Sequence, residues 1–380
     1  MRKGAVINME ATRDAIEAAI DAAERMSGTE VRECWVGIGG TQINALNSRG
    51  VVAITGKKRE TREIDDDDIQ RVIDAAKAVV IPMDREILEV IPRSFSVDDQ
   101  KDIRNPLDMI GVRLECEVHI ITCSLTGLQN LLKCVNRAGF GLAGGFILQL
   151  LACGSSCLTE EEKEMGVVLI DLGGGTSDVL VYLDGVPYST YTIPAGGSHL
   201  TSDLSIMKSI AHDAAEKIKT EAGCCWEPLL EDNYDIDIPG VGGRPPTSIP
   251  RSQVLGIIKP RMEEIFKKVK ERYDDLNLPR PLGAGVVLTG GAAQLPGAAE
   301  LAEEVFKMPV RLGSPLPSQH IAGLADDYRR PSYSTAIGLL IEGYRRSDLP
   351  PVNGKAEKQG KKKGGDLLKK LKVWFKEEFF

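Results

Sequence analysis

The residues best suited to binding a ligand lie in one segment, directly after a continuous apolar run: Asp171-Leu172-Gly173-Gly174-Gly175-Thr176-Ser177-Asp178. Consecutive glycines let backbone N–H groups approach phosphate oxygens where a Cβ would collide, and the Thr176 hydroxyl adds a donor. Asp171, at the end of the apolar run, is placed to hold Mg²⁺ through water. The segment therefore predicts a phosphate-binding loop, with a plain glycine-rich hairpin as the alternative.

A second apolar run also ends in glycines, in Leu288-Thr289-Gly290-Gly291-Ala292-Ala293-Gln294. Such a turn allows a flat ring or a phosphate to approach the backbone. Glycine pairs between a strand and a helix are common, so this turn alone predicts little. Together with the first loop, it indicates a nucleotide site.

Glu216 and Lys219 lie three residues apart in a predicted helix and therefore share one of its faces. This face could hold ribose hydroxyls or the edge of a base. A solvated helical ion pair explains the same spacing equally well. Their value as site residues depends on the context that the glycine-rich loops provide.

Two other glycine-rich segments approach nucleotide-binding motifs without meeting their requirements. Residues 139–144 fit the dinucleotide pattern Gly-x-Gly-x-x-Gly but follow a predicted helix instead of a strand. Residues 50–57 approach a P-loop, but the spacing is one residue too long and Lys58 replaces the hydroxyl residue that would hold Mg²⁺. Both segments are predicted to be turns.

The glycine-rich loops require buried strands and covering helices to position them. The runs at 166–172 and 286–289 are continuous rather than alternating, as expected for strands buried on both faces. A long helix is predicted at 251–276, and residues 227–250 read as loop or irregular strand. Residues 31–123 instead place strands around one helix and predict a small α+β module.

Length and composition describe a folded chain. Its 380 residues with 42% apolar content are enough for at least one full core and favour two or more domains. No run approaches the roughly 18 apolar residues of a membrane-spanning helix, and the N-terminus lacks a signal peptide, so we expect a cytoplasmic location. The eight cysteines show no zinc spacing, which predicts reduced core thiols.

The C-terminal segment differs from the rest in charge. The net charge is −8, but residues 355–380 hold nine lysines and four acidic residues, a net +5, which leaves −13 on the remainder. An acidic body argues against nucleic acid as the main partner. A basic end with large apolar residues suits an anionic phospholipid membrane.

Residues 346–365 are rich in Pro, Gly, Lys and Gln and predict a disordered linker. Residues 366–380 place apolar side chains on one side of a helix and lysines on the other, which is typical of a helix in a bilayer interface. Docking of this helix on the chain's own core or on a partner is the alternative. The predicted membrane residues are Leu367, Leu368, Leu371, Trp374, Phe375 and Phe379, with Lys369, Lys370, Lys372 and Lys376.

Together these features resemble the actin superfamily and, within it, the FtsA family of bacterial cell division proteins, over nearly the whole chain. Further matches lie at residues 193–197, 241–246 and 332–338. The resemblance implies an α/β, two-lobed actin-like (ribonuclease H-like) fold that binds ATP and Mg²⁺ between its lobes. The nucleotide-binding residues carried over are Asp171, Gly173, Gly174, Gly175, Thr176, Gly197, Glu216, Lys219, Gly290, Gly291 and Ala292.

The resemblance also implies a domain organisation. The implied segments are a first lobe (1–30 and 124–165), an FtsA-type SHS2-like α+β subdomain (31–123), a second lobe (166–345) with an upper subdomain (224–282), the linker (346–365) and a membrane-targeting amphipathic helix (366–380).

The implied function is assembly, with at most weak ATP hydrolysis. The chain would polymerise at the cytoplasmic side of the cell membrane at the division septum, anchor FtsZ filaments there, and recruit later division proteins through residues 31–123. Arg251 and Arg261 are candidates for contacts with the acidic FtsZ C-terminal tail. Gln149 stands where actin-like proteins often carry a water-positioning residue, although a buried amide bonded to backbone explains it at least as well.

The chain departs from the family at the first phosphate loop, Asp-x-Gly-[Ser/Thr]-x-Lys, which has no match here. Met1 aligns where the family approaches its first helix, so we expect either a cut or mis-started chain or a site that lacks half of its phosphate clamp. Two other functions are alternatives to a role in cell division. A sugar-kinase-type ATPase would need a catalytic acid, for which no candidate is apparent, and an actin-like pilus-assembly adaptor would be expected to lack the lipid-binding helix.

Overall fold

The computed structural model describes residues 1–54, 62–230, 233–239, 245–317 and 323–347. The helices in these ranges are α1 (Met9–Ser27), α2 (Asp66–Lys77), α3 (Leu125–Arg137), α4 (Gln149–Cys157), α5 (Glu160–Met165), α6 (Gly197–Lys208), α7 (His212–Ala222), α8 (Arg251–Asp274), α9 (Ala298–Phe306) and α10 (Ser334–Ser347). The strands are β1 (Glu33–Ile38), β2 (Ile43–Ala53), β3 (Arg62–Glu63), β4 (Arg85–Val97), β5 (Gln100–Ile103), β6 (Ile110–Gly111), β7 (Arg113–Ser124), β8 (Gly141–Leu148), β9 (Val167–Leu172), β10 (Ser177–Leu183), β11 (Val186–Ile193), β12 (Asp235–Ile238), β13 (Thr247–Pro250), β14 (Val286–Thr289) and β15 (Val310–Leu312).

The chain divides into two compact units. The first comprises Met1–Asn44 and Cys123–Pro350, and the described part of the second is Ala45–Thr122. Both segments predicted as actin-like lobes therefore fall within the first unit.

The largest sheet of the first unit has five strands in the order β11-β10-β9-β14-β15. β9 pairs antiparallel with β10 and parallel with β14, which in turn pairs parallel with β15. Val167, Leu169 and Ile170 are completely buried, because helices cover both faces of the sheet, as the continuous apolar run predicted. Strands β9 and β14 thus run side by side through the centre of the core.

A second part of the first unit is built on the parallel pair β1 and β8, in which Val36 lies opposite Phe146. Helix α4 follows β8 directly, and α10 packs against it. This contact requires a glycine, since a Cβ on Gly338 would collide with the carbonyl oxygen of Ala152. Helix α10 is therefore fixed against α4 by close backbone approach.

The second unit holds a sheet in the order β2-β7-β4-β5 with α2 packed on it. The α2 residues Val72, Ile73 and Ala76 are completely buried with Leu114 and Phe95 of the sheet. A capping box between Asp65 and the third helical residue fixes the start of this helix. The unit has the small α+β character that the sequence predicted.

The structure differs from the sequence predictions at three places. The inserted unit begins later than residue 31, because β1 belongs to the first unit through its pairing with β8. The predicted turn at 139–144 is partly strand, since β8 begins at Gly141, and residues 50–53 lie in β2. The described part of the stretch 227–250, predicted as loop or irregular strand, contains the short antiparallel pair β12 and β13, in agreement with the second of these alternatives. Residues 55–58 lie outside the described ranges.

The eight cysteines are free thiols, and all but the half-buried Cys34 are buried, as predicted from their spacing. Within the described ranges, the helices are too short or too polar to cross a lipid bilayer.

Gly338 and Gly256 provide a matched test of the packing between α4 and α10. We expect Gly338→Ala to lower the free energy of unfolding by about 1–3 kcal/mol, because the added methyl group forces the two helices apart. Gly256 is exposed in α8 with open space around it, so Gly256→Ala should raise stability by about 0.5–1 kcal/mol through helix propensity. Urea unfolding measures both, and equal effects would contradict the packing argument.

Candidate functional site

The two glycine-rich loops leave the sheet at one edge. Strands β9 and β14 are parallel, and their last residues pair in register, with Thr289 opposite Asp171. The carboxyl ends of parallel strands are where open α/β sheets bind ligands, because the connecting loops diverge there. The pairing therefore brings residues 173–176 and 290–292 together.

The first loop is held by its carbonyl groups. The N–H groups of Gly197 and Ser198, at the start of α6, donate to the carbonyl oxygens of Gly173 and Gly174 at 2.9 and 2.8 Å. Within the described residues, the N–H groups of Gly174 and Gly175 take part in no hydrogen bond. The loop thus offers donors to an anion while its acceptors are satisfied, which fits a phosphate group.

The second loop requires glycine for two different reasons. Gly290 has φ of 88°, a left-handed conformation, and a Cβ there would collide with the Asp171 carboxylate. Gly291 has open space where its side chain would be. One glycine thus permits close approach to Asp171, and the other leaves room for a ligand beside the backbone.

Lys219, on α7, contacts the first residues of α6. Its ammonium donates to Glu216 at 2.7 Å, to the Thr201 hydroxyl at 3.0 Å and to the Gly197 carbonyl at 3.3 Å. A Cβ on Gly197 would lie 3.2 Å from the Ala292 methyl group. Lys219 is buried, so the pair with Glu216 is more than a solvated surface contact. The structure therefore brings Glu216, Lys219, Gly197 and Ala292 into one cluster of contacts.

The protonation of Glu216 fits this arrangement. Burial opposes its ionisation, but hydrogen bonds from Lys219 and Thr201 hold the pKa of its carboxyl below the usual range. Glu216 therefore stays charged at neutral pH and can accept hydrogen bonds from ribose hydroxyls or base amino groups.

Asp171 and Asp178 lie opposite each other on β9 and β10. Thr335 donates to Asp171 at 3.0 Å, and Thr192 donates to Asp178 at 2.5 Å. Burial and the negative charge of Asp178 raise the pKa of Asp171 to about 6, which the Thr335 hydroxyl partly offsets. Burial likewise raises the pKa of Asp178, against hydrogen bonds from Thr192 and Thr176.

Two adjacent carboxyl groups, of buried Asp178 and half-buried Asp171, favour a cation, because positive charge would relieve their mutual repulsion. Among the described residues, His, Cys, Asp and Glu form no group of three or more that could hold a metal ion directly. Asp171 and Asp178 could therefore contribute to a cation site only together with water or ligand oxygens, as Mg²⁺ commonly has.

Gln149 begins α4 and contacts a turn of the chain near the loops. Its amide Nε2 lies 3.5 Å from the Gly37 carbonyl, and its Oε1 occupies the place where a Cβ on Gly39 would be. The amide therefore makes the backbone contact that the sequence left as an alternative to water positioning.

Arg251 and Arg261 are engaged within the chain. Arg251 donates to the Ala222 carbonyl at 2.9 Å and lies over the Tyr234 ring. Arg261 pairs with Asp203 at 2.6 Å and with Glu264. An acidic partner would have to compete with these contacts.

The predicted C-terminal membrane residues, at positions 367–372, 374–376 and 379, lie outside the described residues. Two contributors to the site were missed in the sequence. Thr335 supports Asp171 from α10, 164 positions away in the chain, and Lys3 lies against Gly175. Thr335 lies in the segment 332–338 that contributed to the family resemblance, but its contact with Asp171 was not predicted. Lys3 has no local motif, so only the fold could reveal its position.

The raised pKa of Asp171 predicts a pH-dependent cost to stability. The folded state holds this proton up to about pH 6, while the unfolded chain releases it near 3.8, so stability is lost as pH rises between these values. In EDTA without nucleotide, Asp171→Asn should stabilise the chain by about 1–2 kcal/mol at pH 7.5 and by little at pH 4.

Urea unfolding from pH 4 to 8 measures this difference. Asp21→Asn, at an exposed position of α1, is the matched control and should change stability little at any pH. A gain for Asp171→Asn that does not depend on pH would contradict the assignment of the cost to a buried charge.

Comparisons with known proteins agree with this geometry. A family model described as cell division protein FtsA matches residues 168–338, and a model described as the SHS2 domain inserted in FtsA matches residues 40–122. The cell division protein FtsA of Borreliella burgdorferi is 44% identical over 100% of this chain and 90% of its own length. That of Pseudomonas aeruginosa is 40% identical over 100% and 89%.

Solved structures show the same fold at low sequence identity. A chain of the PilM-PilN type IV pilus biogenesis complex has a TM-score of 0.63 at 12% identity, covering 90% of this chain and 88% of that one. MreB5 of Spiroplasma citri, bound to ADP, has a TM-score of 0.50 at 14% identity, covering 91% of this chain and 76% of that one.

The predicted actin-like α/β fold with an inserted SHS2 domain is confirmed. The identity to full-length relatives shows that the chain belongs to the FtsA family of actin-like cell division proteins.

Proposed function

We propose that the chain binds ATP with Mg²⁺ in the first unit and functions as an assembling scaffold in cell division. The proposal is carried by direct contacts that join four segments: residues 171–176, Gly197, the Glu216–Lys219 pair and residues 290–292. The first loop would hold phosphates, Glu216 and Lys219 the ribose or base, and the second loop the adenine ring. Mg²⁺ would neutralise phosphate charge beside Asp171.

Nucleotide binding would stabilise the conformation that polymerises, with at most weak hydrolysis. Slow chemistry is in keeping with the placement of Gln149, whose Nε2 lies 3.5 Å from the Gly37 carbonyl, a contact with backbone that suits a structural role. Function would then lie in assembly, with the chain's own copies as its first partners.

The second part of the proposal concerns the membrane and FtsZ. The amphipathic segment 366–380 would anchor filaments at the cytoplasmic side of the membrane at the septum, and the body would bind the FtsZ C-terminal tail. Arg251 and Arg261 stay candidates for that tail, in exchange for their present partners. Residues 31–123 would recruit later division proteins, and the exposed side chains of Val80, Met83 and Ile110 suit such contacts.

The rival functions have less support. A sugar-kinase-type ATPase would consume ATP in a sugar-dependent way and has no use for a lipid-binding segment. A chain of the PilM-PilN pilus biogenesis complex shares the fold but is only 12% identical to this chain in sequence. The FtsA protein of Borreliella burgdorferi is 44% identical over 100% of this chain.

The open space at Gly291 allows nucleotide binding to be blocked without disturbing the fold. We expect Gly291→Leu to keep the melting temperature of the nucleotide-free chain and to lower ATP affinity more than tenfold, because the side chain fills the space beside the second loop. Gly256→Leu, at an exposed glycine that also has open space around it, is the control and should bind ATP normally. Calorimetric titration with Mg·ATP measures both.

If Gly291→Leu and Gly256→Leu bind ATP with equal affinity, the nucleotide does not lie against residues 290–292. If the unsubstituted chain does not bind ATP, the nucleotide part of the proposal fails.

The proposed membrane tether, the segment 366–380, is tested by co-sedimentation with vesicles that contain anionic phospholipid. We expect the chain to pellet with the vesicles and to carry FtsZ with it only when FtsZ has its C-terminal tail. Trp374→Glu combined with Phe375→Glu should abolish pelleting, since two charges then enter the apolar face.

The control is Val352→Glu combined with Asn353→Glu, which adds the same charge within the predicted linker and should leave pelleting nearly unchanged. If the unsubstituted chain stays in solution, the segment docks elsewhere and the proposed tether is wrong.

A further inference from the structure

The N-terminal segment of the chain passes directly over the first glycine-rich loop. A Cβ built on Gly175 would lie 3.4 Å from both the backbone nitrogen and the Cα of Lys3, and 4.0 Å from its Cγ. Both residues belong to the first unit. Lys3 is therefore a neighbour of the loop although 172 positions separate it from Gly175 in the sequence.

The position of Lys3 is fixed by hydrogen bonds. Its carbonyl accepts from the Thr41 N–H at 3.3 Å and from the Thr41 hydroxyl at 3.1 Å. The adjacent Gly40 carbonyl accepts from Thr192 at 3.2 Å, and the same hydroxyl group contacts Asp178. Lys3 is thus linked through this turn to the carboxylates of the site.

The backbone of Lys3 is strained. Its φ is 51°, a left-handed conformation that costs a non-glycine residue about 1 kcal/mol. Reciprocal hydrogen bonds between Arg2 and Ala5, at 2.8 and 2.9 Å, hold the tight turn that imposes this conformation. The turn therefore holds the Lys3 backbone in one defined conformation beside Gly175.

The side chain of Lys3 is half-buried, and within the described residues its ammonium forms no ion pair and no hydrogen bond. Asp178, by contrast, has its carboxylate oxygens engaged by Thr176 and Thr192. A positive charge without a protein partner, beside donors that suit phosphate, is suited to an anionic ligand.

The contacts along the site indicate which phosphate Lys3 would meet. Ala292 and Lys219 lie against Gly197, Gly197 binds the carbonyl of Gly173, and Gly175 at the other end of the loop contacts Lys3. Lys3 is the last member of this series, at the end opposite the residues assigned to adenosine. A nucleotide with its base at Ala292 would present its outermost phosphate there.

We propose that Lys3 binds the terminal phosphate that ATP has and ADP lacks, so that the site distinguishes the two nucleotides through this residue. The inference rests on the proposed nucleotide function and adds a specificity-determining residue to it. An ammonium group forms charge-assisted hydrogen bonds with phosphate oxygens, so losing it should cost about 10- to 100-fold in ATP affinity.

The test is calorimetric titration of the full chain with the non-hydrolysable analogue AMPPNP and with ADP, each with Mg²⁺. We expect Lys3→Gln to weaken AMPPNP binding by at least about tenfold and ADP binding by less than about threefold. Lys3→Arg keeps the charge and should recover most of the AMPPNP affinity. Arg2→Gln removes the adjacent exposed charge and should change neither affinity by more than about twofold.

The melting temperature of the nucleotide-free variants separates binding from folding and should not fall for Lys3→Gln. If Lys3→Gln weakens both nucleotides by one common factor, or neither, the inference is wrong while the nucleotide site stands. If the unsubstituted chain binds neither AMPPNP nor ADP, the proposed nucleotide function is wrong and the role of Lys3 falls with it.

Discussion

The site depends on one constraint, the parallel in-register pairing of β9 and β14 in the core of the first unit. Because the two strands end together, with Asp171 opposite Thr289, both glycine-rich loops must diverge from one edge of the sheet. The apolar side chains of both strands are almost fully buried in a close-packed core, so a change of register would disrupt their packing against the helices on both faces. The geometry of the loops therefore follows from the packing of the sheet.

The same packing creates electrostatic and steric costs at the site. Asp171 and Asp178 face each other in a poorly solvated position, and Gly290 keeps a left-handed conformation so that it can approach Asp171. Hydroxyl groups from Thr192 and Thr335 stabilise the two carboxylates only in part, which leaves a raised pKa at both. A fold selected for stability alone would not keep this pair, and a bound cation would relieve it.

Membership of the FtsA family gives these features a setting in cell division, and the proposed function is assembly of an actin-like chain. The site is consistent with that role. It offers backbone donors, a half-exposed Glu216 and a buried Lys219, all suited to holding a nucleotide, whereas the amide of Gln149 is engaged with backbone. In the proposed function, the binding energy of the nucleotide would favour the conformation that polymerises.

The sequence by itself determined the strands at 167–172 and 286–289, the helix α8 and both glycine-rich loops, because continuous apolar runs and consecutive glycines are local signals. It also showed the FtsA resemblance, and it alone carries the prediction of the C-terminal amphipathic helix.

The sequence misplaced the start of the inserted unit, because the pairing of β1 with β8 joins residues more than a hundred positions apart. For the same reason only the tertiary structure decided that Glu216 and Lys219 lie beside Gly197, that Thr335 supports Asp171 and that Lys3 covers Gly175. Contacts of such sequence separation are set by the packing of the whole core, and no local pattern records them.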